Sequence, residues 1–219
     1  MRKIQLVLVA LIVLILSAFK ADHVITIYMI GDSTMSNKPL EGNNQERGWG
    51  HVLGSFFTED VRVENHAMNG RSSKSFIDEG RWETVVNKIR PGDYVFIQFG
   101  HNDEKPQPER HTDPGTTFDE NLRKFVRETR AKGGIPVLFN SIVRRNFGVN
   151  PDAVAADDIR PEKDEAVVEG DTLIDTHGKY LESPRNVAKE MDVCFIDLNQ
   201  ATKKLVESYG VEGSKKLFM

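Results

Sequence analysis

Cysteine is almost missing from this chain: the single Cys194 in 219 residues excludes an intrachain disulfide and leaves no cysteine-based metal centre. It lies in the apolar stretch 193–196, which predicts a buried, inert thiol. Long hydrophobic runs are also scarce. The longest, 6–16, would reach only about 17 Å as a helix, against a hydrocarbon core of about 30 Å, so no stable membrane span is expected. No internal repeat is visible, and the 9 prolines and 17 glycines are scattered, so neither a repeat array nor a linker is indicated. There is no basic excess: 29 Lys and Arg stand against 33 Asp and Glu, a net charge of −4 that suits nucleic acid poorly.

What is present begins with the N-terminus. Arg2 and Lys3 precede the apolar run, and Ser17, Ala18, Phe19, Lys20 and Ala21 follow it, the layout of a secretory signal. Residues 1–21 are expected to be a signal peptide and 22–219 one domain, secreted or periplasmic. Removing 1–21 takes away Arg2, Lys3 and Lys20 and no acid, which moves the net charge from −4 to −7.

Beyond residue 23, short β-branched runs alternate with longer amphipathic stretches, the pattern of a parallel sheet flanked by helices. Five strands are predicted at 24–30, 61–66, 94–100, 135–141 and 193–198, each apolar enough to be covered on both faces. Helices are predicted over 74–89, with Ile77, Trp82, Val85, Val86 and Ile89 largely on one face, and over 116–132, with Phe118, Leu122, Phe125 and Val126. Thr117 and Glu120 have capping-box spacing, and Gly133 suits the left-handed residue past the helix end. Shorter helices are predicted over 183–191, with Pro184 in the first turn, and over 200–209. The acidic, aperiodic stretch 144–176 reads as a long excursion on the sheet rim.

In an open parallel sheet, ligands bind beyond the carboxyl ends of the strands. Three polar turns follow predicted strands: Gly31-Asp32-Ser33-Thr34-Met35, Met68-Asn69-Gly70-Arg71-Ser72 and Gly100-His101-Asn102-Asp103. Any one of them is also ordinary turn chemistry; Asp32 and Ser33 could simply cap a helix.

Taken together, in this order, the three turns resemble the blocks of the GDSL/SGNH hydrolase family. Gly31 to Met35, Arg47-Gly48-Trp49-Gly50, Asn69 to Ser72 and Phe99 to Asp103 are similar to the rhamnogalacturonan acetylesterase branch, a likeness covering roughly residues 24–200. It implies a flavodoxin-like three-layer α/β/α fold with a five-stranded parallel sheet, and hydrolysis through an acyl-serine. A serine hydroxyl needs a base to take its proton and donors for the developing oxyanion. On this likeness Ser33 is the nucleophile, and the Ser33 N–H, Gly70 N–H and Asn102 amide form the oxyanion hole. Trp49, Arg71 and His101 are weaker substrate-side candidates; Trp49 could be core packing, and Arg71 could merely pair with a carboxylate. No cofactor and no metal are implied. The partner is an acetylated polysaccharide or another small ester, and not nucleic acid.

One block has no counterpart. The family's Asp-x-x-His supplies the base and its orienting carboxylate. Three positions before the six histidines stand Lys20, Gly48, Val63, Gln98, Pro108 and Ile174, so no such motif occurs. The chain is expected to stop short of it and to be nearly inactive alone. His177, on the rim excursion, is the least implausible stand-in, and no two histidines are expected close enough with acids to hold a metal. Two other readings stay open: a carbohydrate-binding pseudoenzyme, or a relative acting on another acyl ester. A phosphate cradle at Gly31 to Ser33 would lack the glycine-rich loop with lysine that such sites use.

Overall fold

The computed structural model describes residues 24–148 and 170–218. The expected signal peptide and most of the acidic excursion lie outside them. The central sheet contains β1 (Ile25–Gly31), β2 (Val61–Asn65), β3 (Tyr94–Gln98), β4 (Ile135–Phe139) and β7 (Cys194–Ile196), in the order β2-β1-β3-β4-β7. All four pairings are parallel, as the apolar, β-branched runs predict. The rim excursion contributes a separate antiparallel pair, β5 (Phe147–Gly148) and β6 (Thr172–Leu173).

Strand alternation divides the core between the two faces of the sheet. Tyr28, Ile30, Val95, Ile97, Phe99 and Leu138 meet helices α2 (Ser73–Asp78), α3 (Arg81–Val86), α4 (Thr117–Ala131) and α5 (Glu182–Met191) in one large cluster. Phe76, Phe118, Leu122, Phe125, Val126 and Val187 fill it from the helix side, each almost fully buried. At about 2 kcal/mol per buried side chain, this face supplies most of the apolar stabilisation. The opposite face is smaller: Ile27, Met29, Met35 and Ala67 pack with Trp49 and Leu53 of α1 (Trp49–Val52) and the turn after it. The last helix, α6 (Leu198–Gly213), buries Val206 against Val143, Phe147 and Leu173.

Four expectations need correction. The helix predicted over 74–89 is two helices, because Gly80 turns left-handed at φ +68 between α2 and α3. The capping box that forms belongs to Ser72 and Ser75 at the start of α2. Thr117 is spent elsewhere, its Oγ1 accepting from the Asp113 N–H, and α4 starts after Thr116 without a side-chain cap. Helix α6 starts two residues early, at Leu198, and breaks at Gly210, one residue past the predicted end. Gly133 does adopt the left-handed conformation expected of it, at φ +77.

The fourth correction is Cys194, which is exposed. It sits on the edge strand β7, bonded only to β4; Phe195 turns into the main core while Cys194 and Ile196 face outward. A thiol reagent such as Ellman's should therefore titrate one cysteine per chain in the folded protein within minutes; reaction only after denaturation would restore the buried thiol.

Candidate active site

The register brings Gly31 of β1 beside Gln98 of β3 and Gln98 beside Phe139 of β4, so three strands end on one level. The chain order reverses between β1 and β3, with β2 on the far side of β1, which opens a crevice above their carboxyl ends.

Ser33 stands two residues past β1 on one helical turn, closed by the Met35 and Ser36 N–H groups donating to Asp32 O. Asp32 Oδ1 accepts from the Thr34 N–H at 2.8 Å and the Thr34 hydroxyl at 2.7 Å. A relay holds this turn from behind: the Trp49 indole donates to Gln98 Oε1 at 2.6 Å, and Gln98 Nε2 donates to Thr34 Oγ1 at 2.9 Å. Gly48 and Gly50 allow α1 to close on it; a Cβ on Gly48 would lie 2.2 Å from Ser36 O, and one on Gly50 2.6 Å from Met35 O. Trp49 is thus a support for the Ser33 turn, packed on Phe139, and it does not line the cleft beside Ser33.

The second turn follows β2. The Met68 N–H donates to Gly31 O at 3.0 Å, and the Arg71 N–H to Met68 O at 3.3 Å, with Gly70 at φ +75 inside the turn. That sign of φ is what glycine is needed for. Asn69 Oδ1 accepts from Ser36 Oγ at 2.6 Å, tying this turn to the Ser33 turn. The third turn follows β3, where the buried Asn102 donates from Nδ2 to Arg71 O at 3.1 Å and keeps a second amide proton. Three strand ends are so joined by side chains. Among the described residues, neither the Ser33 nor the Gly70 N–H donates a hydrogen bond, and the Ser33 hydroxyl has no partner.

Ser33 lines a cleft of about 610 Å³ together with the polar Thr34, Lys38, Arg47 and Asn69 and the apolar Val143, Val206, Leu217 and Phe218. Gly70 and Arg71 line an adjoining depression of about 410 Å³. Arg71 binds Glu79 through Nε at 3.0 Å, so its guanidinium is engaged by a carboxylate.

Two histidines do come together, against expectation. His101 and His177 meet edge to face at 4.4 Å between ring centres, and with Glu104 they place three metal-ligating atoms within 4.8 Å of one another. They lie 76 positions apart on a strand end and a rim loop, which no spacing rule could pair. The group closes as an ion-pair network: Arg144 donates to Glu104 and to Thr176 Oγ1, and His177 Nδ1 stands 3.1 Å from Glu104 Oε2. The cation that Glu104 needs is already a guanidinium. His177 Nε2 lies 3.1 Å from Ile142 O, which can only accept, so that nitrogen carries a proton. With both ring nitrogens engaged there, His177 does not serve Ser33. His101 is buried beside it, and burial, reinforced by His177, Arg144 and Lys105, holds its pKa well below the usual value. Like Asn102, it lines neither of these two clefts.

Two buried carboxylates frame the site. Burial pushes Asp32 up, against its Thr34 bonds and the nearby His177 and Arg144. Asp103, fully buried, is pushed up to about 7 by burial, although it accepts from Ser73 N–H and Oγ, Thr112 Oγ1 and the Gly100 N–H. Asp103, Gln98 and Asn69 carry roles that the sequence reading did not assign. The signal for Gln98 was a lone amide inside an otherwise apolar strand.

A profile of the GDSL-like Lipase/Acylhydrolase family matches residues 29–210. The chain is 40% identical over 195 residues to Rhamnogalacturonan acetylesterase RhgT of Bacillus subtilis (strain 168), covering 89% of this chain and 74% of that one. A Rhamnogalacturonan acetylesterase of Emericella nidulans is 40% identical over 78 residues, 36% of this chain and 28% of its own. Among solved structures, that of the YxiM protein of Bacillus subtilis superposes with a TM-score of 0.71 at 26% identity, over 89% of this chain; the chain spans about half, 49%, of its length. The chain belongs to the GDSL-like lipase/acylhydrolase family of carboxylic ester hydrolases.

Proposed function

We propose that this protein is an exported acetylesterase that removes O-acetyl groups from the pectic polysaccharide rhamnogalacturonan through an acetyl-Ser33 intermediate. The observation that carries the reading is that the turns holding Ser33, Gly70 and Asn102, at three neighbouring strand ends, are tied together by the Met68–Gly31, Ser36–Asn69 and Asn102–Arg71 hydrogen bonds. The 40% identity to a rhamnogalacturonan acetylesterase supports the substrate. The apolar run at 6–16 supports export.

In the proposed reaction, Ser33 Oγ attacks the acetyl carbonyl while a base takes its proton. The Ser33 and Gly70 N–H groups and the Asn102 amide receive the oxyanion, each donor contributing about 3 kcal/mol in the transition state. Collapse releases the sugar hydroxyl, which takes the proton back from the base. Water then attacks the acetyl-serine, giving acetate and restoring Ser33. No described histidine hydrogen-bonds Ser33: His51, His66 and His111 are bonded elsewhere, as is His177. The Asp-x-x-His block that supplies the base in the family does not occur in residues 1–219, so no residue of this sequence is assigned as the base, and residues 1–219 by themselves should turn over slowly.

Acetate release separates the substrates. With the natural protein, acetylated pectin should yield acetate and acetylated xylan little; equal release from both would remove the pectin assignment. Tight binding of pectin with no acetate released by the natural protein would turn the reading to a pseudoenzyme.

A further inference from the structure

The cleft beside Ser33 is lined by two cations, Lys38 and Arg47, and one carboxylate, Glu46, in a protein whose net charge is −4. Lys38 is the unusual member. Its side chain is only 8% exposed, yet its ion partner Glu46 is at 3.9 Å and itself 55% exposed. Among the described residues its one hydrogen-bond acceptor is the neutral Asn69 Oδ1 at 2.7 Å, so an ammonium with three donors has a single close acceptor there. Arg47 donates to the carbonyls of Asn44 and Glu46 and, among the described residues, pairs with no carboxylate.

An ammonium removed from water and poorly paired gains from an anion brought to it. We propose that Lys38, with Arg47 at the rim, is a carboxylate-binding subsite beside Ser33, so that the cleft selects saccharide esters carrying a uronate group next to the acetylated unit. The inference rests on the esterase reading only for the place of the ester; the subsite itself is built from Lys38, Asn69 and Arg47. Burial pulls the Lys38 ammonium below its usual range, with Glu46 and Asp32 opposing the shift, and an incoming carboxylate would act in the same sense as those two acids. Asn69, which holds Lys38, also accepts from Ser36, so the subsite shares its anchor with the nucleophile turn. Val143, Val206, Leu217 and Phe218, which line the same cleft, offer apolar contact for the acetyl methyl and the sugar C–H face.

Calorimetric titration with trigalacturonate and with its methyl-esterified form tests this, since the two ligands differ only in the masked charge. The acid should bind about tenfold tighter than the ester, as a charge-assisted contact requires. Lys38→Gln should reduce the acid to the affinity of the ester and leave the ester unchanged, while Lys38→Arg should retain most of the preference. Equal binding of the two ligands overturns the subsite, as does no binding of either. An equal loss for both in Lys38→Gln overturns it too, because Lys38 would then be only a tether to Asn69. If the charge preference holds but the natural protein releases no acetate from any ester, the subsite stands and the esterase reading falls; acetate release without charge preference gives the reverse.

Discussion

Ser33→Ala in the natural protein is expected to lower acetate release from acetylated pectin by about a millionfold while leaving the thermal midpoint almost unmoved. The two halves rest on different links of the argument. The kinetic half follows from the chemistry: without Oγ there is no acyl intermediate, and losing the nucleophile of a comparable serine hydrolase costs on the order of 10⁶ in turnover. Donors at Gly70 and Asn102 would remain, so a residue of activity above the uncatalysed rate should survive. The stability half follows from the structure. The Ser33 hydroxyl makes no hydrogen bond to the described residues, and the turn is held by Asp32, Thr34, Ser36 and the Trp49–Gln98 relay, none of which needs Oγ. A change within about 0.5 kcal/mol is expected. Acetate release by enzyme-coupled assay and a thermal melt decide it: retained turnover would move the nucleophile elsewhere, and a melt lowered by more than a few degrees would show that Ser33 is structural.

The parts of this molecule legible in its sequence are those set by local pattern. The five parallel strands could be read because β-branched runs between amphipathic stretches have few other solutions, and the three turns because strand ends are where a parallel sheet places its chemistry. The family likeness rested on those same turns. What could not be read was set by tertiary partners. Gly80 splits a helical period that looks continuous, because a single glycine is tolerated in a pattern until the backbone needs φ > 0. Cys194 looked buried from its neighbours and is exposed because β7 is an edge strand, a fact of sheet order that no window of residues contains. Trp49 packs against the core, one of its two readings, and its indole N–H also finds Gln98, 49 positions away, and through it the Ser33 turn, a link no local window contains. The Glu104–Arg144–His177 network joins three separate loops, so its members looked unrelated in sequence.

Asp103→Asn is expected to destabilise the fold by about 2–4 kcal/mol near neutral pH and to flatten part of its pH dependence. The carboxylate joins the two turns that carry Gly70 and Asn102: it accepts from the Gly100 N–H before Asn102, from the Ser73 N–H and hydroxyl after Gly70 and Arg71, and from Thr112. An asparagine keeps one acceptor oxygen and turns an NH₂ toward the others, leaving about two buried donors unmet at about 1–3 kcal/mol each. For a domain of this size that corresponds to roughly 5–15 °C in the melting midpoint. The pH argument has a definite sign. Asp103 is pushed up to about 7 in the fold, against about 3.9 in the unfolded chain. Between those values the folded state holds a proton that the unfolded state has released, so this group's contribution is fully present below about pH 4 and is lost as the pH rises towards 7. Asp32, raised in the same sense, leaves a residual slope in the variant. Melts from pH 5 to pH 8 should therefore show the parent losing stability with rising pH more steeply than Asp103→Asn. Because Asn102 and the Gly70 turn would lose their common anchor, turnover should fall more than KM rises. A variant as stable as the parent, with the same pH slope, would mean that the Asp103 hydrogen bonds do not hold the site together.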